Sequence, residues 1–247
     1  MRYMRAQQRR VRFDAICRRN GLKLDYELNK DGMDILDEVF VQRLYADYFP
    51  FYRRNTILDI GGHFGYFAMF AAMNSAPDSR VVTIEPSTRN ITVLQSNIAT
   101  PGLSQVTAVQ GAVADKAGTL DLHVSKAHNC SLYADHAQAL APGKAMSTEQ
   151  VSVFSLADIV EQHGLEKIDV MKLDCEGAEY PIIYNTPVEV LWRVRVIMME
   201  FHDTKDAERD GLSMVRQLVA KGFRVVVFRH LPTMMNLNYG KIIAVRD

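Results

Sequence analysis

Short apolar runs alternate with helix-spaced stretches along most of the chain. "TILDI" (56–60), "RVVTIEP" (80–86), "QVTAVQGAV" (105–113), "KIDVMKLD" (167–174) and "VRVIMMEF" (194–201) are dense in β-branched and other apolar residues. Runs of this kind read as strands buried on both faces. Between them, "YFAMFAAMNSA" (66–76) reads as a buried helix, and "STRNITVLQSNIAT" (87–100) as a helix ended by Pro101-Gly102. "VSVFSLADIVEQHG" (151–164) reads as a short strand and then a helix capped by Ser155; a further helix over roughly 207–221 stops at Gly222. "FRVVVFRH" (223–230) and "KIIAVRD" (241–247) close the chain as two strands in close succession. Strand–helix alternation predicts an α/β fold: a mostly parallel seven-stranded sheet, helices on both faces, and a last antiparallel strand.

Two regions depart from this rhythm. Residues 34–49, "DILDEVFVQRLYADYF", have helical spacing, with Ile35, Val39, Leu44 and Tyr48 able to share a face. "GTLDLHV" (118–124) alternates as a half-exposed strand does, and the polar stretch 125–150 reads as a long loop or lid. Residues 1–50 are expected to form an N-terminal extension packed on a core of 51–247.

Composition narrows the class. The chain has 247 residues, 48% hydrophobic and 23% charged, which supports a sizeable core. Lys plus Arg and Asp plus Glu are both 29, which argues against nucleic acid as a partner. The basic residues concentrate in the first 24 positions, where the apolar side of a helix would carry Val11, Phe13, Ile16 and Cys17. That segment is either a solvated helix or a contact arm for an anionic partner or membrane surface. Cys17, Cys130 and Cys175 are widely spaced with no metal-binding pattern, which points to a reduced, cytoplasmic protein. No secretory signal or transmembrane run is apparent.

The chemistry concentrates at strand ends. "ILDIGGHFGYF" is a strand ending in Asp59, then Gly61, Gly62, His63 and Gly65 turning into a helix that starts at Tyr66. Such a turn admits close ligand approach and presents unpaired N–H groups. The GxGxxG pattern of dinucleotide binding is not met, because His63 and Tyr66 stand where glycines are needed. The spacing DxGGxxG resembles the first motif of class I S-adenosylmethionine-dependent methyltransferases. At the tip of the second strand, Glu85 precedes Pro86, Ser87 and, within the next turn, Asn90; a carboxylate there suits a ribose diol. In such enzymes the third strand recognises adenine, here through Ala114 and Asp115, although an Asp before "KAG" is equally a turn former.

The stretch "IDVMKLDCEGAEYPII" places Asp174, Glu176 and Glu179 at the end of a buried strand, where carboxylates are costly unless used. In an open parallel sheet that end faces the ligand crevice. Together with "VVTIEPS", "AVADKAGTLDLHV", "VSVFSLADIV" and "VIMMEFH", these segments resemble the FkbM methyltransferases in order and approximate spacing over about residues 35–247. Cys175 replaces an aliphatic residue of that pattern, and Gly62-His63 stands where the family more often has Ala-Asn.

The resemblance implies a Rossmann-like class I fold, S-adenosyl-L-methionine as cofactor, and O-methylation of a small-molecule or glycan hydroxyl. Methyl transfer needs alignment and removal of one proton, so a base or a divalent cation such as magnesium helps. The candidates are Asp174, Glu176, Glu200 and His202. His128, Asn129 and Ser131 are candidate acceptor contacts in the 125–150 stretch. Glu179 is a candidate for favouring the helix it begins, and Lys172 reads as a strand residue facing a carboxylate or the sheet surface. A homo-oligomer is compatible with these features. The alternatives are a non-catalytic cofactor-binding scaffold, an NAD-dependent oxidoreductase and, more weakly, a nucleic-acid methyltransferase.

Overall fold

The structure, a computed structural model, describes residues 2–125, 130–134, 137–138, 145–203, 206, 208–232 and 238–246. In chain order the N-terminal part comprises α1 (Arg2–Asn20), α2 (Tyr26–Asn29), a 3-10 turn (Lys30–Gly32) and α3 (Met33–Phe40). The alternating part follows with β1 (Thr56–Ile60), α4 (Tyr66–Met73), β2 (Arg80–Glu85), α5 (Thr88–Ile98) and β3 (Val106–Gln110). Then come β4 (Ala112–Ala114), β5 (Gly118–Ser125), β6 (Cys130–Ser131), β7 (Met146–Ser155), α6 (Leu156–Gln162) and β8 (Ile168–Leu173). The last elements are α7 (Glu179–Asn185), α8 (Val188–Leu191), β9 (Val194–His202), α9 (Gly211–Ala220), β10 (Arg224–Pro232) and β11 (Asn238–Val245).

The main sheet has seven strands in the order β10-β11-β9-β8-β1-β2-β3. Only β11 runs antiparallel to its neighbours, slotting between β9 and β10. The sequence expectation of a mostly parallel sheet with one late antiparallel strand is met. Its cause is visible in β1, where four consecutive residues are buried because both faces are covered. On one face, α1, α3 and α4 pack over Ile57, Val81, Val170 and Met198. On the other, α6, α7 and α9 cover Leu58, Val82, Met171 and Ile197. The helix α4 is buried from Tyr66 to Ala72 because the N-terminal helices roof it. Ser155 caps α6 as expected, in a capping box with Asp158.

Four expectations need correction. The helix read over 34–49 ends at Phe40: the Asp37 carbonyl takes the N–H groups of both Val41 and Gln42, and Arg43 turns left-handed at φ 55°. The apolar side of α1 carries Phe13, Ile16 and Cys17, whereas Val11 is 65% exposed. The single third strand breaks at Gly111, where a Cβ would lie 2.6 Å from the Phe154 ring. Its tail, β4, leaves the main sheet and pairs with β7. A second sheet, β4-β7-β5-β6, results. Both ends of the stretch read as a loop, and Cys130–Ser131 within it, are therefore strand: β7 begins at Met146 and pairs antiparallel with all of β5. No described helix is long and apolar enough to cross a membrane.

Candidate active site

The turn after β1 is fixed by close approach. Gly61 stands at φ 86°, and a Cβ there would fall 1.8 Å from the Asp174 carbonyl oxygen. The Gly61 and Gly62 N–H groups both donate to the Ile84 carbonyl, tying the turn to β2. Gly65, at φ 82°, then sets the left-handed start of α4. This stitching brings the carboxyl ends of β1, β2 and β8 together.

Glu85 ends β2 and is 3% exposed. Its Oε2 accepts the His63 N–H at 2.8 Å; its Oε1 accepts the Ser87 N–H at 3.0 Å and Asn90 Nδ2 at 3.2 Å. Burial pushes this carboxyl up to about 7 against those hydrogen bonds. Cys130 Sγ adds a long contact to Oε1 at 3.9 Å, so Oε1 is filled, whereas Oε2 takes one donor among the described residues and keeps about one acceptor position for a ligand hydroxyl. Glu85 lines a cleft of about 680 Å³, counted with its open mouth, together with Gly61, His63, Pro86, Asn90 and Asp174. Gly111, Ala112, Val113 and Leu122 give it an apolar wall.

Not every sequence candidate reaches the cleft. Asp59 lies behind the turn, fully buried, accepting from Thr83 Oγ1 at 2.8 Å and facing Lys172 Nζ at 3.3 Å. Burial raises its carboxyl above its ordinary range, with Lys172 opposing. Gly62 packs on Thr83 and Leu94. Ser87 caps α5. Tyr66 is buried and donates to Asn29 Oδ1 at 2.8 Å. Ala114 is buried in the small sheet and Asp115 is exposed; neither is among the cleft-lining residues. Ser131 does line the cleft, and its hydroxyl donates to the Glu176 carbonyl at 2.7 Å. His128 and Asn129 lie outside the described residues.

The catalytic candidates converge at the ends of β8 and β9. The buried His202 ring has Nε2 3.3 Å from Glu176 Oε2 and 3.5 Å from Glu200 Oε1; its Nδ1 is 3.3 Å from Glu179 Oε1. Burial alone would lower the imidazole pKa; Glu176, Glu179 and Glu200 outweigh it and hold the proton well above the ordinary range. Glu179, also fully buried, accepts the Cys175 and Gly177 N–H groups at 2.8 Å each. Burial raises its carboxyl, but His202 and then the Cys175 N–H outweigh that and bring it below its ordinary range. Glu179 thus shapes the turn that carries Glu176, which stands at φ 54°. Ligand-capable atoms of Asp174, Glu200 and His202 lie within 4.8 Å of one another. Burial raises Asp174, but Lys172 and His202 bring it below its ordinary range. Burial, and then Asp174, raise Glu200.

Sequence reasoning read Lys172 as facing a carboxylate or the sheet surface without naming its partners, and missed two members of this neighbourhood, Tyr45 and Glu38. Lys172 bridges Asp59 and Asp174, at 3.3 and 3.4 Å, and also donates to the Gly61 carbonyl at 3.0 Å. Burial disfavours its charge; Asp174 and Asp59 outweigh that, so its pKa stands above the ordinary value. Tyr45, from the segment after α3, places its hydroxyl 3.4 Å from Asp174 Oδ2. Glu38 of α3 is raised to about 7 by burial and then by Glu200 and Asp174. The only sequence signal for these two was an apolar helix pattern, which says nothing of what the helix packs against.

The Methyltransferase FkbM domain matches residues 59–225, which contain the glycine turn, Glu85 and the Asp174–His202 cluster. The chain belongs to the FkbM methyltransferase family. It is a methyltransferase on a Rossmann-like α/β sheet. Methyltransferase 1 of Beauveria bassiana is 27% identical over 206 residues, which cover 78% of this chain and 81% of that protein. Methyltransferase sdnD of Sordaria araneosa is 26% identical over 201 residues, 71% of this chain and 77% of that one. Among solved structures, the O-methyltransferase from Bacillus cereus in complex with SAH is 16% identical, with a TM-score of 0.48 over 84% of this chain and 79% of that chain. The FkbM match spans the departures at Gly62-His63 and Cys175.

Proposed function

We propose that this FkbM methyltransferase uses S-adenosylmethionine to methylate a hydroxyl of a sugar, glycan or secondary metabolite. The observation that carries the reading is the single cleft shared by the glycine turn, Glu85 and Asp174 at the carboxyl ends of β1, β2 and β8. When bound, S-adenosylmethionine supplies a methyl group on an already activated sulfonium. Glu85 accepts one ribose hydroxyl, and Gly61 and His63 line the approach to the methionine end. The apolar wall of Ala112, Val113 and Leu122 suits an adenine face. Asp174 orients the acceptor hydroxyl, and Glu200, which sits beside Asp174 and His202 and has raised proton affinity, takes its proton. His202 already faces three carboxylates and serves as the cation that holds them together.

A second reading adds a divalent cation at Asp174, Glu200 and His202, whose mixed oxygen and imidazole donors fit such an ion once the ring gives up its proton. Calorimetric titration with S-adenosylhomocysteine, with NAD as control, tests the cofactor. Binding weakened in Glu85→Gln supports the reading; binding of NAD alone sinks it. Methyl transfer to a panel of hydroxylated sugars and polyketides, with magnesium or with EDTA, then tests the acceptor and the metal. Cofactor binding with no turnover on any acceptor returns the scaffold alternative.

A further inference from the structure

The far end of the sheet carries a second concentration of charge. Arg195 is the second residue of β9, Arg224 opens β10, and Arg246 follows the last residue of β11. The Arg246 N–H donates to the Arg195 carbonyl at 2.8 Å, so these two arginines sit on neighbouring strands. Arg53, from the segment before β1, lines the same groove. Like charges on adjacent strands repel, and here no acidic side chain lines the groove among the described residues. Arg246 is partly committed: it donates to the Trp192 carbonyl at 2.7 Å and lies 5.2 Å from the Trp192 ring. Arg53, Arg195 and Arg224 form no ion pair among the described residues.

The groove measures about 930 Å³ with its open mouth, and Tyr48 and Phe51 supply its aromatic side. Tyr48 is 53% exposed and held at φ 64°. A non-glycine residue in that region is strained, and such strain gathers at ligand clamps and other functional sites. Arg195 lies seven residues from His202 along β9, roughly 23 Å at strand spacing, so the groove is separate from the methyl-transfer cleft.

The geometry points to this groove as a binding site for a phosphate-bearing small molecule, a nucleoside diphosphate in which guanidinium forks take the phosphates and Tyr48 stacks on the base. It does not depend on the cofactor reading. The test is calorimetric titration of the full chain with pyrophosphate and with uridine diphosphate, in low and moderate salt. Both bind, the nucleotide more tightly, and both weaken as salt rises. Arg195→Glu/Arg224→Glu lowers both affinities by about tenfold or more, the milder Arg224→Gln lowers them less, and S-adenosylhomocysteine binding is unchanged. Absence of heat with either probe, or unchanged affinity in the double variant with its melting temperature retained, overturns the site.

Discussion

A methyl group at position 62 would sit 2.3 Å from Thr83 Oγ1 and 3.0 Å from Leu94 Cδ1. Thr83 occupies that space because its hydroxyl donates to Asp59, opposite it in the β1–β2 register. The glycine that departs from the family pattern is thus matched to a threonine one strand away. Gly62→Ala should cost about 1–3 kcal/mol by overpacking. Thr83→Ala should cost a similar ~1–3 kcal/mol by leaving Asp59 short of a donor. The double variant should cost less than the sum, with a coupling of about 0.5–3 kcal/mol in urea melts. Strict additivity would show that the two do not compete for one space. Lys172 is the other residue whose role comes from register: it stands opposite Asp59 in β8. Lys172→Met strands a fully buried carboxylate and should destabilise by about 3–5 kcal/mol, with partial recovery in Lys172→Met/Asp59→Asn. A Lys172→Met chain as stable as the parent would mean the ion pair is dispensable. Asp59, Glu85 and Asp174 stood out in the sequence because polar residues ending apolar strands are conspicuous. Lys172 was visible as a strand residue, but its partners were not, because register is a tertiary fact.

The strands of the main sheet were legible because each is a dense apolar run closed by a turn residue. The small sheet was not: β4 looks like the tail of β3, and the start of β7 reads as polar loop because its outer residues face solvent. The early end of α3 was also hidden, since its apolar spacing continues past the residue where the backbone turns. That end has a functional consequence, for it swings Tyr45 to Asp174 while α3 itself holds Glu38 toward the acidic cluster. Glu38 has an ordinary value of 4.5 and a folded value of about 7. A carboxyl raised in this way contributes stability below 4.5 that is lost as pH rises through about 7. Glu38→Gln should therefore raise the melting temperature at pH 8 and leave it nearly unchanged at pH 4.5. An equal shift at both pH values would mean that Glu38 acts through packing and not through its charge.

Across the whole molecule the titrating groups pull in two directions. Asp174 and Glu179 have lowered values, so their contribution is present above their ordinary 3.8 and 4.5 and is lost as acid protonates them. Glu85, Glu38 and His202 have raised values, so theirs is lost as pH rises, for the two glutamates between 4.5 and about 7. Stability should be greatest in mildly acidic buffer and decline toward alkaline pH. Cofactor binding has the opposite dependence if Glu85 accepts a ribose hydroxyl, because only the ionised carboxylate has the acceptor positions free. A ligand that selects the ionised form stabilises more where that form is already present. The melting-temperature increase produced by a fixed concentration of S-adenosylhomocysteine should therefore be larger at pH 8 than at pH 5.5, even though the unliganded protein is less stable at pH 8. In Glu85→Gln, which cannot ionise, the increase should be smaller and the same at both pH values. A parent increase independent of pH would remove Glu85 from the ribose contact and leave the glycine turn and the apolar wall to hold the cofactor without it.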